Sequence, residues 1–481
     1  MFSFYKKTLS LRLIYVASIY FVIYYFWDFF TLYPMGFIAD DSYFYSQIAY
    51  NIGVNKFSSW DGINLTSSYH LLWVLVISVT SLFLSFFTDI KGHHLIGHIF
   101  VYISIILFLL AYYTDTILEK FIVFSIIISG YILMENITVI FLLFIIFKEI
   151  QKYVVSKQNS YLLLLAFFLI PLSRIDAIAL VGFIPLLYFI KTKDKFFFYL
   201  LICLSLGLIF NFLIYYLIAG EIYSVSSYVK MNQNITNTME HRIVKNALYS
   251  NLVPLGWFTL KLRAYVLITL FIIIIFSITV KKQKQSILFY GLFLGLYSYF
   301  FIQLFLNYID TWYYSVMFGS LFLIFKVLKL QTFWRLTSIS IFYILVSLLF
   351  LGKFYNSYKF FDYRVKYINE VQNIEKYIPE DSKIYQYDLA GHLGFYSQIK
   401  VINGDGRVNS FKYAKNLLNK NLSNYLISNK ICYLTDIFTQ QLGTEKVILN
   451  QSNLIVKYSD VNLIKKFENF NLYKLSNCKN N

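Results

Sequence analysis

Residues 11–33 read LRLIYVASIYFVIYYFWDFFTLY, and residues 34–52 continue with PMGFIADDSYFYSQIAYNI. The first stretch is longer than the roughly 20 apolar residues that an α-helix needs to cross a bilayer. It is too long and too aromatic for the apolar core of a cleaved signal peptide, and no small-residue cleavage site follows it. We therefore expect a permanent membrane anchor, followed closely by two adjacent aspartates.

The composition of the whole chain indicates the same class of protein. Of 481 residues, 58% are apolar, 21% are aromatic and only 14% are charged, with a mean hydropathy of +0.60. Soluble domains carry about 25% charged residues, so a soluble globular protein is excluded. The net charge of +17 would indicate nucleic-acid binding in a soluble chain. Here the basic residues lie between apolar segments, as in cytoplasmic loops of membrane proteins, so nucleic acid is not an expected partner.

Apolar segments recur along the first three quarters of the chain and become rare after residue 352. They lie at 11–33, 69–88, 95–113, 121–134, 136–148, 160–173, 175–190, 196–218, 264–280, 286–306, 313–328 and 334–352. We predict a polytopic α-helical membrane protein with about 11 crossings plus interfacial helices. Residues 1–352 form its transmembrane domain, with the first outer loop at 34–68. Residues 353–481 form a soluble extracytoplasmic α/β domain, called the tail below.

The orientation follows from clusters of basic residues, which collect on the cytoplasmic side. The clusters are Lys6, Lys7 and Arg12; Lys148, Lys152 and Lys157; Lys191, Lys193 and Lys195; Lys281, Lys282 and Lys284; and Lys326, Lys329 and Arg335. If all are cytoplasmic, the N-terminus is inside, and loops 219–263 and 307–312 lie outside together with the tail. If 34–68 and Glu135 both lie outside, the chain between them must cross the membrane an even number of times. Three apolar segments lie between them, which is an odd number. One of the three is therefore expected to be a partial or re-entrant helix.

The tail has patterns of both helices and strands. Helical periodicity is present at 365–378 and 411–427, and short β-rich runs occur at 383–387, 400–402, 431–434 and 454–456. The chain has three cysteines and no metal-type cysteine spacing. Cys432 and Cys478 both lie in the tail and could pair if it is exported, which the sequence alone leaves open.

The paired aspartates begin an amphipathic pattern in the first outer loop. Phe44, Ile48 and Ile52 recur at helical spacing, which predicts a helix lying in the membrane interface. Asp41 could simply cap this helix, but capping needs only one carboxylate. Two adjacent charges at a membrane face are costly unless one binds something, and an aspartate beside an acceptor hydroxyl can act as a general base. Asp40 and Asp41 are therefore both candidate catalytic residues.

Two further polar residues are expected to face the same outer side. His70 lies at the start of an apolar segment and could bind substrate or handle a proton, although an interfacial histidine with no such role is the commoner case. Glu135 is a lone carboxylate between two apolar segments. It is either a loop residue or a second acid in a cavity, because acids at membrane depth are functional candidates.

Another outer turn combines an arginine with an aspartate. Arg174 could bind a phosphate through its guanidinium group, or it could form a structural ion pair with Asp176. Trp312 and Tyr313 lie at an outer interface, where aromatic residues are common in any membrane protein. All four are candidate substrate-binding residues. His94 and His98 have metal-compatible helical spacing but lack a clear acidic partner, so no metal is expected.

Together these residues resemble the GT-C superfamily of polytopic glycosyltransferases, in particular bacterial enzymes related to protein O-mannosyltransferases and aminoarabinose transferases. The resemblance is strongest across 40–43, 61–64 and 69–73, and weaker at 134–135, 172–176, 312–314, 388–391 and 403–409. It implies a first-loop acid, Asp40 or Asp41, that activates the acceptor. It also implies an arginine, for which Arg174 is the candidate, that binds the phosphate of a polyprenyl-phosphate sugar.

The resemblance also implies a multi-pass protein of the bacterial inner membrane that usually inverts the sugar configuration. The donor is a lipid-phosphate sugar, so no separate cofactor is expected, and the acceptor is a cell-envelope glycan, a lipopolysaccharide or a protein. The tail would lie over the cavity and help select the acceptor. Two alternatives remain open: a transporter or flippase of lipid-linked saccharides, and a binding protein with this fold but no activity. The lack of paired, similarly interrupted halves disfavours a transporter, and the paired aspartates disfavour an inactive binding protein.

Overall fold

The computed structural model describes residues 38–114, 116–130, 132–235, 287–306, 311–327, 361–379, 382–387, 390–435, 440–442, 445–451, 454–476 and 478. The predicted spans at 11–33, 264–280 and 334–352 lie outside these ranges, as does much of the predicted loop 219–263. The tail contacts the first outer loop directly.

The part of the chain before the tail is mainly helical within its described ranges, and its longest non-helical segment, 54–70, joins the first two helices. Its helices, labelled in chain order, are α1 Asp40–Gly53, α2 Leu71–Leu84, α3 Lys91–Tyr112, α4 Ile117–Ser129, α5 Asn136–Ser156, α6 Tyr161–Ser173, α7 Ile178–Thr192, α8 Lys195–Ala219, α9 Val225–Ile235, α10 Ile287–Leu306 and α11 Thr311–Val327. A 3₁₀ turn at Ile175–Ala177 leads into α7. Local capping fixes several ends: Ser160 accepts from the Leu163 backbone N–H, and Asp194 accepts from that of Phe196.

Three described helical segments are long and apolar enough to cross a membrane: Lys91–Tyr112, Ile175–Thr192 and Lys195–Ala219. Shorter apolar helices occupy Leu71–Leu84, Tyr161–Ser173, Ile287–Gln303 and Ser315–Val327. The described residues therefore show a largely helical membrane protein with three candidate spans, fewer than the roughly 11 crossings expected from apolar segments of about 20 residues. Three of the predicted spans lie outside the described residues, and several of the others form helices too short to span by themselves.

Close contacts between helices depend on glycines. A Cβ added to Gly207 in α8 would lie 2.1 Å from the carbonyl oxygen of Phe168 in α6, and one added to Gly295 in α10 would lie 2.1 Å from that of Leu180 in α7. Small residues let the backbones of membrane helices approach closely. Dispersion contacts then stabilise the pair, because in lipid there is no hydrophobic driving force between helices. Both pairs of helices pack tightly as a result.

Helix α1 confirms the predicted helix but corrects its environment. It was expected to lie in the membrane interface with one apolar face buried. Instead it packs between α2 and a tail helix, and polar residues such as Ser42, Ser46 and Asn51 are buried along with its apolar ones. Asn51 donates to the carbonyl oxygen of Ser59 at 2.7 Å. The apolar stripe therefore packs against protein, and hydrogen bonds to backbone carbonyls satisfy Ser42 and Asn51 on the remaining faces.

The tail combines short helices with two small sheets. Its helices are α12 Phe361–Gln372, α13 Ala390–Tyr396, α14 Phe411–Leu418 and α15 Leu422–Ser428. Its strands are β1 Lys383–Gln386, β2 Lys400–Asn403, β3 Tyr433–Thr435, β4 Gln440–Leu442, β5 Glu445–Gln451, β6 Leu454–Lys457, β7 Val461–Lys466 and β8 Asn471–Leu475. The larger sheet has the order β2-β1-β3-β8-β7, and the smaller has the order β4-β5-β6. The four strands predicted from β-rich runs all occur, and the predicted helix at 411–427 is divided into α14 and α15.

The sheet order brings the two tail cysteines together. Strand β3 pairs with β1 in parallel and with β8 antiparallel, so the segments before β3 and after β8 meet at one end. Cys432 and Cys478 are joined there by a disulfide, with their Cα atoms 5.6 Å apart. The question that the sequence left open is answered by this pairing of strands.

Candidate functional site

A cavity of about 470 Å³ lies between the helices and the tail. It is lined by residues from α1, from the segments before α2, α5 and α7, from α8 to α11, and from the tail loop 403–409 that follows β2. The charged or imidazole side chains in its wall are Asp41, His70, Glu135, Arg174, Asp176, Lys230, Asp405 and Arg407. Segments far apart in the sequence thus meet around one polar space.

The two adjacent aspartates face different surroundings. Asp41 lines the cavity, whereas Asp40 is not among the lining residues. The Asp40 carboxylate instead accepts backbone N–H groups of Gly391 and His392 at 3.1 and 3.0 Å, and it pairs with His392 Nδ1 at 2.6 Å. The expected capping role of Asp41 is wrong: the cap position of α1 is Ala39, which makes no side-chain cap bond. Successive helix positions point about 100° apart, so one carboxylate reaches the tail and the other reaches the cavity.

Arg174 is held between two carboxylates. The end of α6 and the following 3₁₀ turn leave Arg174 in an extended backbone conformation, and its side chain is only 3% exposed. Its Nε and Nη2 donate to Asp176 at 2.9 and 2.6 Å, and its Nη1 donates to Glu135 Oε1. The guanidinium carbon lies 4.3 Å from the centre of the Tyr313 ring. The structural ion pair considered from the sequence is therefore present, and it includes a second acid.

Glu135 lies at the centre of this group. It is 1% exposed, and its Oε1 is 3.5 Å from His70 Nε2. The other carboxylate oxygen, Oε2, is buried without a hydrogen-bond partner within the described residues. A tyrosine phenol is already protonated at neutral pH, and burial, Glu135 and Asp41 together raise the pKa of Tyr45 well above its ordinary value. A neutral donor therefore faces the buried acids.

The helical part of the wall carries more negative than positive charge. We call Asp41, Glu135 and Asp176 the acidic wall. Among the described residues, the guanidinium group of Arg174 binds two of these acids, Glu135 and Asp176. The cavity's other cations, Lys230 and Arg407, belong to α9 and the tail loop. An anionic ligand would be repelled by the acidic wall and attracted to these cations.

The tail loop has a defined conformation. Asn403 Oδ1 accepts the Asp405 backbone N–H at 3.2 Å, and Asp405 Oδ1 accepts that of Arg407 at 2.8 Å. Gly406 has a φ of +79°, a conformation that side chains disfavour. Thr66 Oγ1 donates to the carbonyl oxygen of Asn409 at 3.0 Å, which ties the loop to the first outer loop. These contacts keep Asp405 and Arg407 at the cavity.

Most of the predicted site residues meet at the cavity. Its wall contains the predicted residues Asp41, His70, Glu135, Arg174, Asp176 and Tyr313. The backbone of Trp312 belongs to α11, but its side chain lies outside the described part of the chain. The prediction that Asp40 serves the same site directly has no support in this geometry.

Sequence reasoning missed several members of the site. Lys230 lies in the predicted outer loop 219–263, where a lone lysine carries no signal. Gln303 Nε2 donates to Asp176 Oδ2 at 2.5 Å. An amide inside an apolar segment is a signal that could have found it. Tyr45 is one of many tyrosines, and the sequence does not distinguish it from the others.

Neither the comparisons with known proteins nor the possible metal ligands among the described residues indicate a family or a metal site. No family model matches the chain, and no curated protein matches it. Within the ranges that the structure describes, no group of three or more His, Cys, Asp or Glu side chains is arranged to hold a metal ion. We therefore infer the function from the residues that line the cavity.

Proposed function

We propose that this protein is an integral-membrane glycosyltransferase of the GT-C type. It transfers a sugar from a polyprenyl-phosphate donor to an acceptor hydroxyl on the outer side of the cytoplasmic membrane. The chain crosses the membrane about 11 times, with the N-terminus in the cytoplasm and the tail outside. The acceptor is a cell-envelope glycan, a lipopolysaccharide or a protein.

The position of Asp41 is the observation that carries this proposal. Its carboxylate lies in the wall of a cavity between apolar helices and a polar tail, where a lipid-linked donor and a polar acceptor could meet. As a general base, Asp41 takes the proton of the acceptor hydroxyl. The acceptor oxygen then bonds to the anomeric carbon as the bond to the phosphate oxygen breaks, and the phosphate leaves with the electron pair. A single displacement of this kind inverts the configuration.

The phosphate needs a positive partner as it leaves. Arg174 already donates to Glu135 and Asp176, so its charge is balanced within the wall. We assign the phosphate to Lys230 and Arg407, which face the same cavity from outside the acidic wall. Arg407 Nε lies 3.6 Å from Asp405 Oδ2, but its side chain is 36% exposed against 3% for Arg174, so a ligand can reach it. Arg407 can bind two phosphate oxygens at once. This assignment replaces Arg174 as the expected phosphate ligand, while Arg174 keeps the acids in place.

Arg407→Ala is expected to raise the Michaelis constant for the lipid donor by about tenfold, because a charge-assisted hydrogen bond to phosphate contributes about 1.5–3 kcal/mol. Arg407→Lys should restore part of the loss, since it returns the charge without the paired N–H groups. Lys366→Ala is the matched control, because it also removes one positive charge from the tail, at an exposed lysine that pairs with Glu468. Equal Michaelis constants in Arg407→Ala and Lys366→Ala would contradict the assignment.

The disulfide supports an external tail, because disulfides persist in oxidising compartments. The chain has three cysteines, and Cys203 is the free one. We expect the denatured, unreduced protein to react with maleimide at one thiol and the reduced protein at three. Cys432→Ser should leave two reactive thiols without reduction, since it frees Cys478. Three reactive thiols in freshly isolated, unreduced protein would contradict the external location.

The activity itself is tested by comparing the envelope glycans of a deletion strain by mass spectrometry. We expect a sugar residue to be missing, and to return with the wild-type chain but not with Asp41→Asn. Purified protein in proteoliposomes should then transfer that sugar from its polyprenyl-phosphate form. Unchanged glycans in the deletion strain, together with no transfer in proteoliposomes from any polyprenyl-phosphate sugar tried, would overturn the proposal.

A further inference from the structure

The contact between α13 of the tail and the start of α1 brings a tail residue next to the proposed base. Within the described residues, the Asp40 carboxylate makes three hydrogen bonds, with the backbone N–H groups of Gly391 and His392 and with His392 Nδ1. Asp40 is 12% exposed and His392 is 8% exposed, so water competes little for this pair. A charge-assisted hydrogen bond in such surroundings is among the stronger contacts that a side chain makes.

The surrounding packing brings the two helices into close contact. A Cβ at Gly391 would lie 2.3 Å from the carbonyl oxygen of Asp40, so glycine is needed there for the backbones to approach. The Tyr43 ring lies 4.6 Å from the His392 ring, and the hydroxyls of Tyr43 and Tyr396 are 3.3 Å apart. The position of α13 therefore defines the position of the first turn of α1.

The segment around Asp41 is held from both sides. Asp40 is bound by the tail, and Ser42 Oγ donates to the carbonyl oxygen of Ile132 at 2.8 Å. Ile132 precedes Glu135 by three residues, so this second contact ties α1 to the acidic wall. The first turn of a helix has N–H groups without partners inside the helix, and no side chain at Ala39 caps α1. External contacts thus fix the turn that carries Asp41.

We propose that His392 is a positioning residue: by holding Asp40, it fixes the direction in which Asp41 points into the cavity. Docking of the tail thereby completes the site, and the transferase is active only with α13 seated on α1. This inference rests on the proposed function, in which Asp41 is the base. It gives Asp40 a role that is distinct from proton transfer by Asp41.

Four variants test this role in proteoliposomes with the lipid donor. His392→Ala removes the side-chain donor and is expected to lower kcat by about tenfold or more, because a misplacement of about 1 Å can cost about 100-fold. The Michaelis constant for the donor should change little. His392→Asn should restore most of kcat, since its amide nitrogen takes the place of Nδ1, whereas His392→Gln should not. Tyr396→Phe is the matched control, because it alters the same interface without touching Asp40.

Hydrogen exchange gives a readout that does not depend on activity. In His392→Ala we expect faster exchange of the amides in the first turns of α1, with α3 and α8 unchanged, and in His392→Asn we expect protection close to that of the wild type. Unchanged exchange in α1, or an unchanged kcat in His392→Ala, would overturn the positioning role. If the wild-type protein transfers no sugar, the proposed function fails, and exchange alone then decides whether His392 orders α1.

Discussion

Asp41→Asn is expected to lower the rate of sugar transfer by about 10²–10⁴-fold, the usual contribution of a general base. The amide has nearly the same shape as the carboxylate but cannot accept a proton from the acceptor hydroxyl. Because Asp41 lies in the cavity wall and the cap position of α1 is Ala39, the variant should fold as the wild type does. The measurement is single-turnover transfer in proteoliposomes, with unfolding in detergent as the test of folding.

Asp40→Asn is the matched comparison, since it makes the same chemical change one residue away. Asparagine keeps one acceptor for the N–H groups of Gly391 and His392 but loses the charge. We expect a smaller decrease in kcat than in Asp41→Asn, together with faster hydrogen exchange at the start of α1. Equal, complete loss of transfer in both variants without any change in exchange would mean that Asp40 acts in the chemistry. Full activity in Asp41→Asn would eliminate the general-base mechanism.

Arg174→Ala is expected to destabilise the folded protein by about 3–5 kcal/mol, the cost of removing one partner from a buried ion pair. The substitution leaves Glu135 at 1% exposure and Asp176 at 16% without their counter-charge. It also removes the cation beside the Tyr313 ring. Unfolding of the purified variant in denaturant measures the loss, and protein yield should decrease in parallel.

A triple variant separates charge balance from direct binding. Arg174→Met combined with Glu135→Gln and Asp176→Asn removes all three charges while keeping similar volumes, and it should recover much of the stability. An Arg174→Ala protein that is as stable as the wild type but has a higher Michaelis constant for the donor would reverse this assignment. In that case Arg174 would bind the phosphate directly, as the resemblance to the GT-C superfamily implied.

The helical class and the site's location followed from local patterns. The apolar runs around α3 and α8 are long enough to indicate spans without any knowledge of tertiary contacts. Polar residues that interrupt apolar segments, such as Glu135 and Arg174, were candidate site residues, and both line the cavity. These predictions succeed because placing charge among apolar segments is costly and needs a compensating environment.

Residues outside such segments gave weaker signals. Lys230 lies in a polar loop, where a basic residue costs nothing and therefore carries no information about a site, and Arg407 belongs only to the weaker resemblance at 403–409. His392 and Asp40 are about 350 residues apart in the sequence, and their pairing at 2.6 Å depends on how the tail packs. The buried environment of α1 was also mistaken for a membrane surface, because periodicity does not distinguish lipid from protein as the apolar partner.

The sequence by itself determined that this is a helical membrane protein with a mixed α/β tail and a pair of acids after its first apolar stretch. Hydropathy and charge are properties of each segment, so they can be read without knowing what the segment touches. Only the tertiary structure decided which aspartate faces the cavity, which acids bind Arg174, and that Cys432 pairs with Cys478. Those outcomes depend on the direction of individual side chains and on contacts between distant segments, which follow from packing of the whole chain.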